Sequence, residues 1–216
     1  MAQDLFYRGV RAFGRFGFLC TSRATILHAE RSKLEGPWLL AANHASVYDV
    51  GPIMRSCERV IDWVSITEVF QYRVLRWLYG NMGAFPVDRK ILDTAGLQTI
   101  FERLKAGRVV GIFPEGAVAT AERKSILEGG EFRSAIGKIA HSTGVPIVPC
   151  VHVGTKNMAP RYRWLPLRLI RYGIIFGEPI YADPKLNRRE AARNLEQDLI
   201  ASMRELQVEL LAAYED

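Results

Sequence analysis

Short apolar runs bounded by Gly, Pro or Asn recur along the chain: "WLLAAN" (38–43), "VIDWVSI" (60–66), "VVGIFP" (109–114), "PIVPCVHV" (146–153) and "YGIIFGEPI" (172–180). Apolar runs this short, closed by turn residues, read as strands buried in a sheet. Between them the apolar period lengthens to that of a helix. Residues 68–80 carry Val69, Tyr72, Leu75, Trp77 and Leu78, and residues 91–106 carry Leu92, Ala95, Leu97, Ile100, Phe101 and Leu104. Gly107 follows the second at a C′ position. In the tail, Asn187 is an N-cap candidate with Glu190 three residues on, and Leu195, Leu199, Met203, Leu206 and Leu210 form one stripe. Strands alternating with helices predict an α/β fold, a central mostly parallel sheet flanked by helices.

No internal repeat or Gly/Ser linker divides the sequence, so residues 36–216 read as one globular unit. With 49% apolar residues the chain is far from the composition of disorder. A net charge of +6 favours anionic partners: nucleic acid, an acidic membrane surface or a phosphorylated substrate. A nucleic-acid role lacks any helix-turn-helix, zinc-finger or RNP pattern, and no nucleic acid is expected. Cys20, Cys57 and Cys150 lack CxxC spacing, which predicts neither a disulfide framework nor a zinc site, and a reducing compartment is the default.

Residues 1–35 read differently. Arg8, Arg11 and Arg15 interrupt "LFYRGVRAFGRFGFLC" (5–20) at helical spacing, with Phe6, Val10, Phe13, Phe16 and Cys20 broadly opposite. An amphipathic helix of this kind either lies at a membrane interface or packs on the domain. No stretch reaches the roughly 18 consecutive apolar residues of a transmembrane helix.

The stretch "NHASVYD" places His44 directly after the first strand and Asp49 where a helix would begin. Residues five apart on an ideal helix are turned about 140° from each other. The pair can meet only if His44 precedes the helix and folds back over it. In that geometry Asp49 accepts the Nδ1 proton and Nε2 is free as a general base. Otherwise Asp49 merely favours a helix N-terminus and His44 is an ordinary loop histidine. Glu115 and Gly116 in "FPEG" sit at another strand's end, and Arg89 in "GAFPVDR" is suited to bidentate phosphate capture.

In this order "NHASVYD", "GAFPVDR", "FPEG" and "VPIVP" resemble the motif blocks of the glycerolipid acyltransferase family, over residues of about 36–180. The resemblance implies an acyltransferase-like α/β fold and transfer of a fatty acyl group from acyl-CoA or acyl-carrier protein. The acceptor would be the hydroxyl of a lysophospholipid such as 1-acylglycerol 3-phosphate. It implies His44 as general base, Asp49 as its orienting partner, and Arg89, Glu115 and Gly116 as acceptor and phosphate ligands. No metal, no cofactor beyond the acyl thioester and no covalent intermediate are implied. The implied partners are a membrane lipid acceptor, an acyl thioester donor and an anionic membrane surface, at the inner face of a cytoplasmic membrane.

Some positions depart from the family's pattern. Ala117 and Val118 follow Gly116 where relatives carry Thr-Arg, "FRSA" (132–135) replaces Phe-Lys-x-Gly, and Thr67 stands where lysine is common. The missing arginine is one expected phosphate ligand lost, while "FRSA" keeps a base, Arg133, and loses the glycine; together these departures leave a different acceptor open, such as another lysolipid, an amino-acid lipid or a glycolipid. The segment 156–173, "KNMAPRYRWLPLRLIRYG", interleaves Lys and Arg with Tyr162, Trp164 and Tyr172 and reads as a membrane-interface surface.

Overall fold

The computed structural model describes residues 2–87, 94–120, 122–130, 132, 135–158 and 170–215. Their strands are β1 (Ser22–Leu27), β2 (Trp38–Ala42), β3 (Ile61–Ile66), β4 (Phe85–Val87), β5 (Val109–Ile112), β6 (Ile147–Val153) and β7 (Ile170–Phe176). Together they form one sheet in the order β1-β7-β6-β2-β5-β3-β4. Every neighbouring pair is parallel except β6 and β7. The helices are α1 (Ala2–Thr21), α2 (Val50–Ser56), α3 (Arg73–Asn81), α4 (Thr94–Lys105), α5 (Ile136–Thr143) and α6 (Arg188–Glu215).

Strand β2 is central and buried at every position, which is why its sequence is apolar without a break. Successive side chains leave opposite faces of the sheet. Leu39 and Ala41 therefore join Val110, Ile112 and Val151 under α4, α5 and α6. Trp38, Leu40 and Ala42 join Val148, Cys150 and Ile53 on the face covered by α2, with Phe18 of α1 packed against them. Gly111 of β5 leaves room on this second face. A Cβ there would lie 2.7 Å from both the Trp63 ring and Ile61 Cγ2, so glycine is what lets the indole lie across the strand.

The predicted caps form. Gly107 closes α4, with the Arg108 N–H donating to the Arg103 carbonyl at 3.1 Å and its own N–H to Leu104 at 2.9 Å. Asn187 Oδ1 accepts from the N–H groups of Arg189 and Glu190 at 3.1 Å, and its Nδ2 donates to the Glu190 carboxylate at 2.6 Å. The stripe Leu195, Leu199, Met203, Leu206 and Leu210 is buried.

Two elements differ from expectation. Strand β1 was not legible because "SRATIL" pairs on one side only and is largely half-buried or exposed, so it carries no continuous apolar run. The helix expected over 68–80 is broken: Thr67–Gln71 is 3₁₀, Tyr72 is extended, and α3 buries no residue. Leu75, Leu78 and Tyr79 are only half-buried, and Val74 and Trp77 of the helix, with Tyr72 just before it, are more than 60% exposed.

Helix α1 packs through Tyr7 and Phe18. Two of its arginines face the protein: Arg11 donates to the carbonyls of Cys57 and Glu58, and Arg15 to that of Arg55, beyond or near the end of α2. Phe6 meets Trp77 edge to face at 5.4 Å. The stripe left outside is apolar: Leu5, Phe13, Phe16 and Leu19 are 66–81% exposed.

Candidate active site

The carboxyl ends of β6, β2 and β5, adjacent in the sheet, converge on His44, the site region of open α/β sheets. Residues 43–46 leave β2 without helical structure, a turn covers 47–49, and α2 begins at Val50. His44 thus precedes the helix, as the spacing required. Asp49 does not cap α2. Its carboxylate turns back, and Oδ2 accepts from the N–H groups of Ala45 (2.8 Å) and Ser46 (2.9 Å) and pairs with His44 Nδ1 at 2.9 Å. That bond set puts the imidazole proton on Nδ1. Among the described residues none bonds Nε2.

Asp49 is fully buried while the His44 side chain stays 15% exposed. Burial opposes ionisation of Asp49. The His44 hydrogen bond, the His152 imidazole, the Thr155 hydroxyl and the Ser46 N–H together outweigh it and hold the carboxyl below its ordinary value. The site therefore keeps a carboxylate behind the imidazole at neutral pH.

Phe113, the first residue beyond β5, stacks on the His44 ring at 4.1 Å with 13° between planes. Trp63 stacks on the other side of Phe113 at 5.0 Å and 15°. This column fixes the plane of the imidazole, and Gly111 is what admits its outer member. The "FPEG" turn closes through the Gly116 N–H on the Phe113 carbonyl at 2.9 Å, with Gly116 at φ 69° in the left-handed region. Just beyond, the Ala119 N–H holds the His44 carbonyl at 2.8 Å.

Glu115 is 3% exposed. Its Oε1 accepts from the Ser125 hydroxyl at 2.8 Å and the Ile126 N–H at 3.3 Å, and Oε2 has no hydrogen-bond partner among the described residues. Burial pushes its pKa up, against Ser125, Ile126 and the nearby His44 N–H. His44, Asp49, Glu115 and Gly116 are thus gathered at one rim of the sheet. Arg89 and Arg133 lie outside the described residues, as does most of the basic segment, 159–169. Of that segment's flank, Tyr172 is a core residue rather than an interface one, buried and accepting a hydrogen bond from Arg55.

Residues 23–153 match the model of the family described as Acyltransferase. The chain belongs to that family. It is 29% identical over 162 residues to the chloroplast 1-acyl-sn-glycerol-3-phosphate acyltransferase of Brassica napus, covering 73% of this chain and 45% of that protein. It is 25% identical over 157 residues to the 1-acyl-sn-glycerol-3-phosphate acyltransferase of Bacillus subtilis, covering 72% and 73%. The chain spans less than half the length of the plant relatives it matches. Its fold is that of the 1-acyl-sn-glycerophosphate acyltransferase crystal structure from Thermotoga maritima, with a TM-score of 0.71 at 21% identity over 95% of this chain and 81% of that one.

Within this candidate site, sequence reasoning missed Asn43, Phe113, Trp63, His152 and Thr155. The available signals were a histidine inside an apolar strand, "VPCVHV", and the aromatic residue leading "FPEG".

Proposed function

We propose that the chain transfers a fatty acyl group from acyl-CoA or acyl-carrier protein to the free hydroxyl of a lysophospholipid, with 1-acylglycerol 3-phosphate the first candidate acceptor. The observation that carries this is the buried Asp49 carboxylate fixed on His44 Nδ1, with Nε2 unbonded among the described residues, in a chain of the acyltransferase family. His44 Nε2 removes the acceptor hydroxyl proton as its oxygen attacks the thioester carbonyl carbon. The resulting imidazolium is paired with Asp49, and the face of Phe113 adds a cation–π contribution. Collapse of the tetrahedral intermediate breaks the C–S bond, and the thiolate leaves with the proton held by His44. The motif resemblance assigns Glu115 and Gly116 to the acceptor side and Arg89 to its phosphate.

A membrane surface as the source of that acceptor is supported by α1. Its exposed stripe of Leu5, Phe13, Phe16 and Leu19 continues through Phe6 to Trp77 of α3. Phe18, at the same end of the helix as Leu19, lies where a Cβ on Gly51 would come within 3.4 Å of its ring, a few residues from the exposed Val47 of "NHASVYD". Among the described residues no helix is long and apolar enough to cross a membrane. A surface helix of this kind inserts its apolar stripe beside the site. Replacing Phe13 and Phe16 together by serine is expected to weaken flotation with anionic phospholipid vesicles about a hundredfold, since each ring contributes roughly 1.5 kcal/mol on burial. Unchanged flotation removes α1 from the docking surface.

The acceptor is tested by thiol release from long-chain acyl-CoA and from acyl-carrier protein. The panel contains lysophosphatidic acid, other lysophospholipids, monoacylglycerol and an amino-acid lysolipid. Acylation of lysophosphatidic acid is expected. Because Ala117 and Val118 supply no cation beside Gly116, turnover confined to a phosphate-free acceptor reassigns the acceptor while keeping the chemistry. No turnover on any acceptor with either donor overturns the proposal.

A further inference from the structure

We propose that His152 is a positioning residue of the site, gripping both ends of the His44–Asp49 pair from β6; this rests on the acyl-transfer proposal above. His152 is 1% exposed in a strand whose neighbouring side chains are apolar. A buried imidazole is tolerated there only if its polar atoms are paired, and they are. Nε2–H donates to the Asn43 carbonyl at 2.6 Å, and Nδ1 accepts from the Thr155 hydroxyl at 3.2 Å. Burial lowers the His152 pKa against the pull of Asp49 and the Asn43 carbonyl, which keeps the ring in this neutral tautomer.

The same two residues are joined twice more. The Asn43 side chain donates Nδ2 to the His152 carbonyl at 3.1 Å and accepts the His152 N–H on Oδ1 at 2.9 Å. An amide side chain thereby extends the β2–β6 ladder past the last residue of β2. Asn43 is held at its side chain and at its carbonyl, so the peptide plane joining it to His44 is fixed, and with it the direction in which the base leaves the sheet. On the other side, His152 Nε2 stands 3.5 Å from Asp49 Oδ2, the oxygen that bonds His44. A polarised N–H edge facing that oxygen supports its negative charge and keeps it aimed at Nδ1. None of the motif blocks contains His152, and its polar contacts among the described residues run to Asn43 just before His44, to Asp49 behind it and to Thr155.

Replacing His152 by leucine removes both grips, and His152→Gln retains a donor near the Nε2 position. The expected result is a loss in kcat of about 10- to 100-fold for leucine with KM changed less than about twofold, and recovery to within about fivefold of wild type for glutamine. In an Asp49→Asn background the leucine substitution is expected to cost kcat severalfold less than it does in the wild type, because the grip on Asp49 is already lost and only that on the Asn43 carbonyl remains. A folded leucine variant with near-wild-type kcat overturns the proposal, as does a full multiplicative loss in the Asp49→Asn background. Should leucine prevent folding, Thr155→Val withdraws the hydroxyl from His152 Nδ1 and from the neighbourhood of Asp49 together and is expected to lower kcat about tenfold, with an unchanged kcat the overturning result. The downfield proton resonance of His44 Nδ1–H, assigned by its absence in His44→Ala, is expected to broaden or shift in the His152→Leu and Thr155→Val variants and is read without turnover. A wild-type protein that transfers no acyl group overturns the parent proposal, whereas an unperturbed resonance overturns only this one.

Discussion

Replacing His44 by alanine is expected to lower acyl-transfer turnover by about 10²- to 10⁴-fold, the range that a positioned general base supplies. The fold should survive. The His44 side chain is partly exposed, and without it Asp49 still accepts from the N–H groups of Ala45 and Ser46. The one packing loss is the outer contact of the Phe113 ring, whose other face remains covered by Trp63. Thermal unfolding by circular dichroism, run beside thiol release at saturating acceptor, separates the two effects. A variant with native unfolding and turnover within threefold of wild type would remove the base from the mechanism. The loss should appear in kcat with KM little changed, because the proton is transferred only in the transition state.

The second large effect lies far from the chemistry. Asp62 of β3 is fully buried, bound by Arg108 through both carboxylate oxygens and approached by Arg103 at 3.3 Å. Arg108 also reaches Asp4 of α1 at 3.0 Å, so one guanidinium ties the N-terminal helix to the sheet. The Asp62 bonds, opposed by burial and joined by Asp4, raise the Arg108 pKa and leave it charged at every accessible pH. Removing one partner of a buried pair strands the other charge, at about 3–5 kcal/mol. Asp62→Ala should therefore lower the melting temperature by roughly 10 °C in a chain of this size. Asp4→Ala, at a third-exposed position, should cost about 1 kcal/mol or less. Equal melting temperatures for the two variants would show that Asp62 is not the anchor. Protease accessibility of α1 should rise in the Asp62 variant, since Arg108 loses the bonds that hold its guanidinium in place beside Asp4.

What was legible in the chain follows from where side chains sit relative to water. The central strands announce themselves because both their faces are covered: Leu39, Leu40 and Ala41 have no exposed side and could be nothing but apolar. β1 has one free edge and three residue types that tolerate it, so periodicity is silent there. Helix α3 misled for the complementary reason. Its apolar residues satisfy a helical period without joining either core cluster, and Val74 and Trp77 face outward. The His44–Asp49 contact was legible as a geometric condition because it spans five residues. The clamp from His152 was not, since nothing in the spacing of residues 43 and 152 marks them as neighbours. Only the strand register that sets Ala42 beside Cys150 does so.

That difference in span has a consequence for how competence is acquired. The turn that seats Asp49 closes over three to five residues and forms as soon as the β2–α2 unit exists. The Asn43–His152 bonds close over 109 residues, with β3, β4 and β5 lying between the two partners in the chain. The His44–Asp49 pair is thus a local contact, whereas the proposed support of the base from β6 is a long-range one. Loosening of β6 should silence the protein while most of its helical signal persists, so turnover reports on the docking of one strand rather than on the fold as a whole.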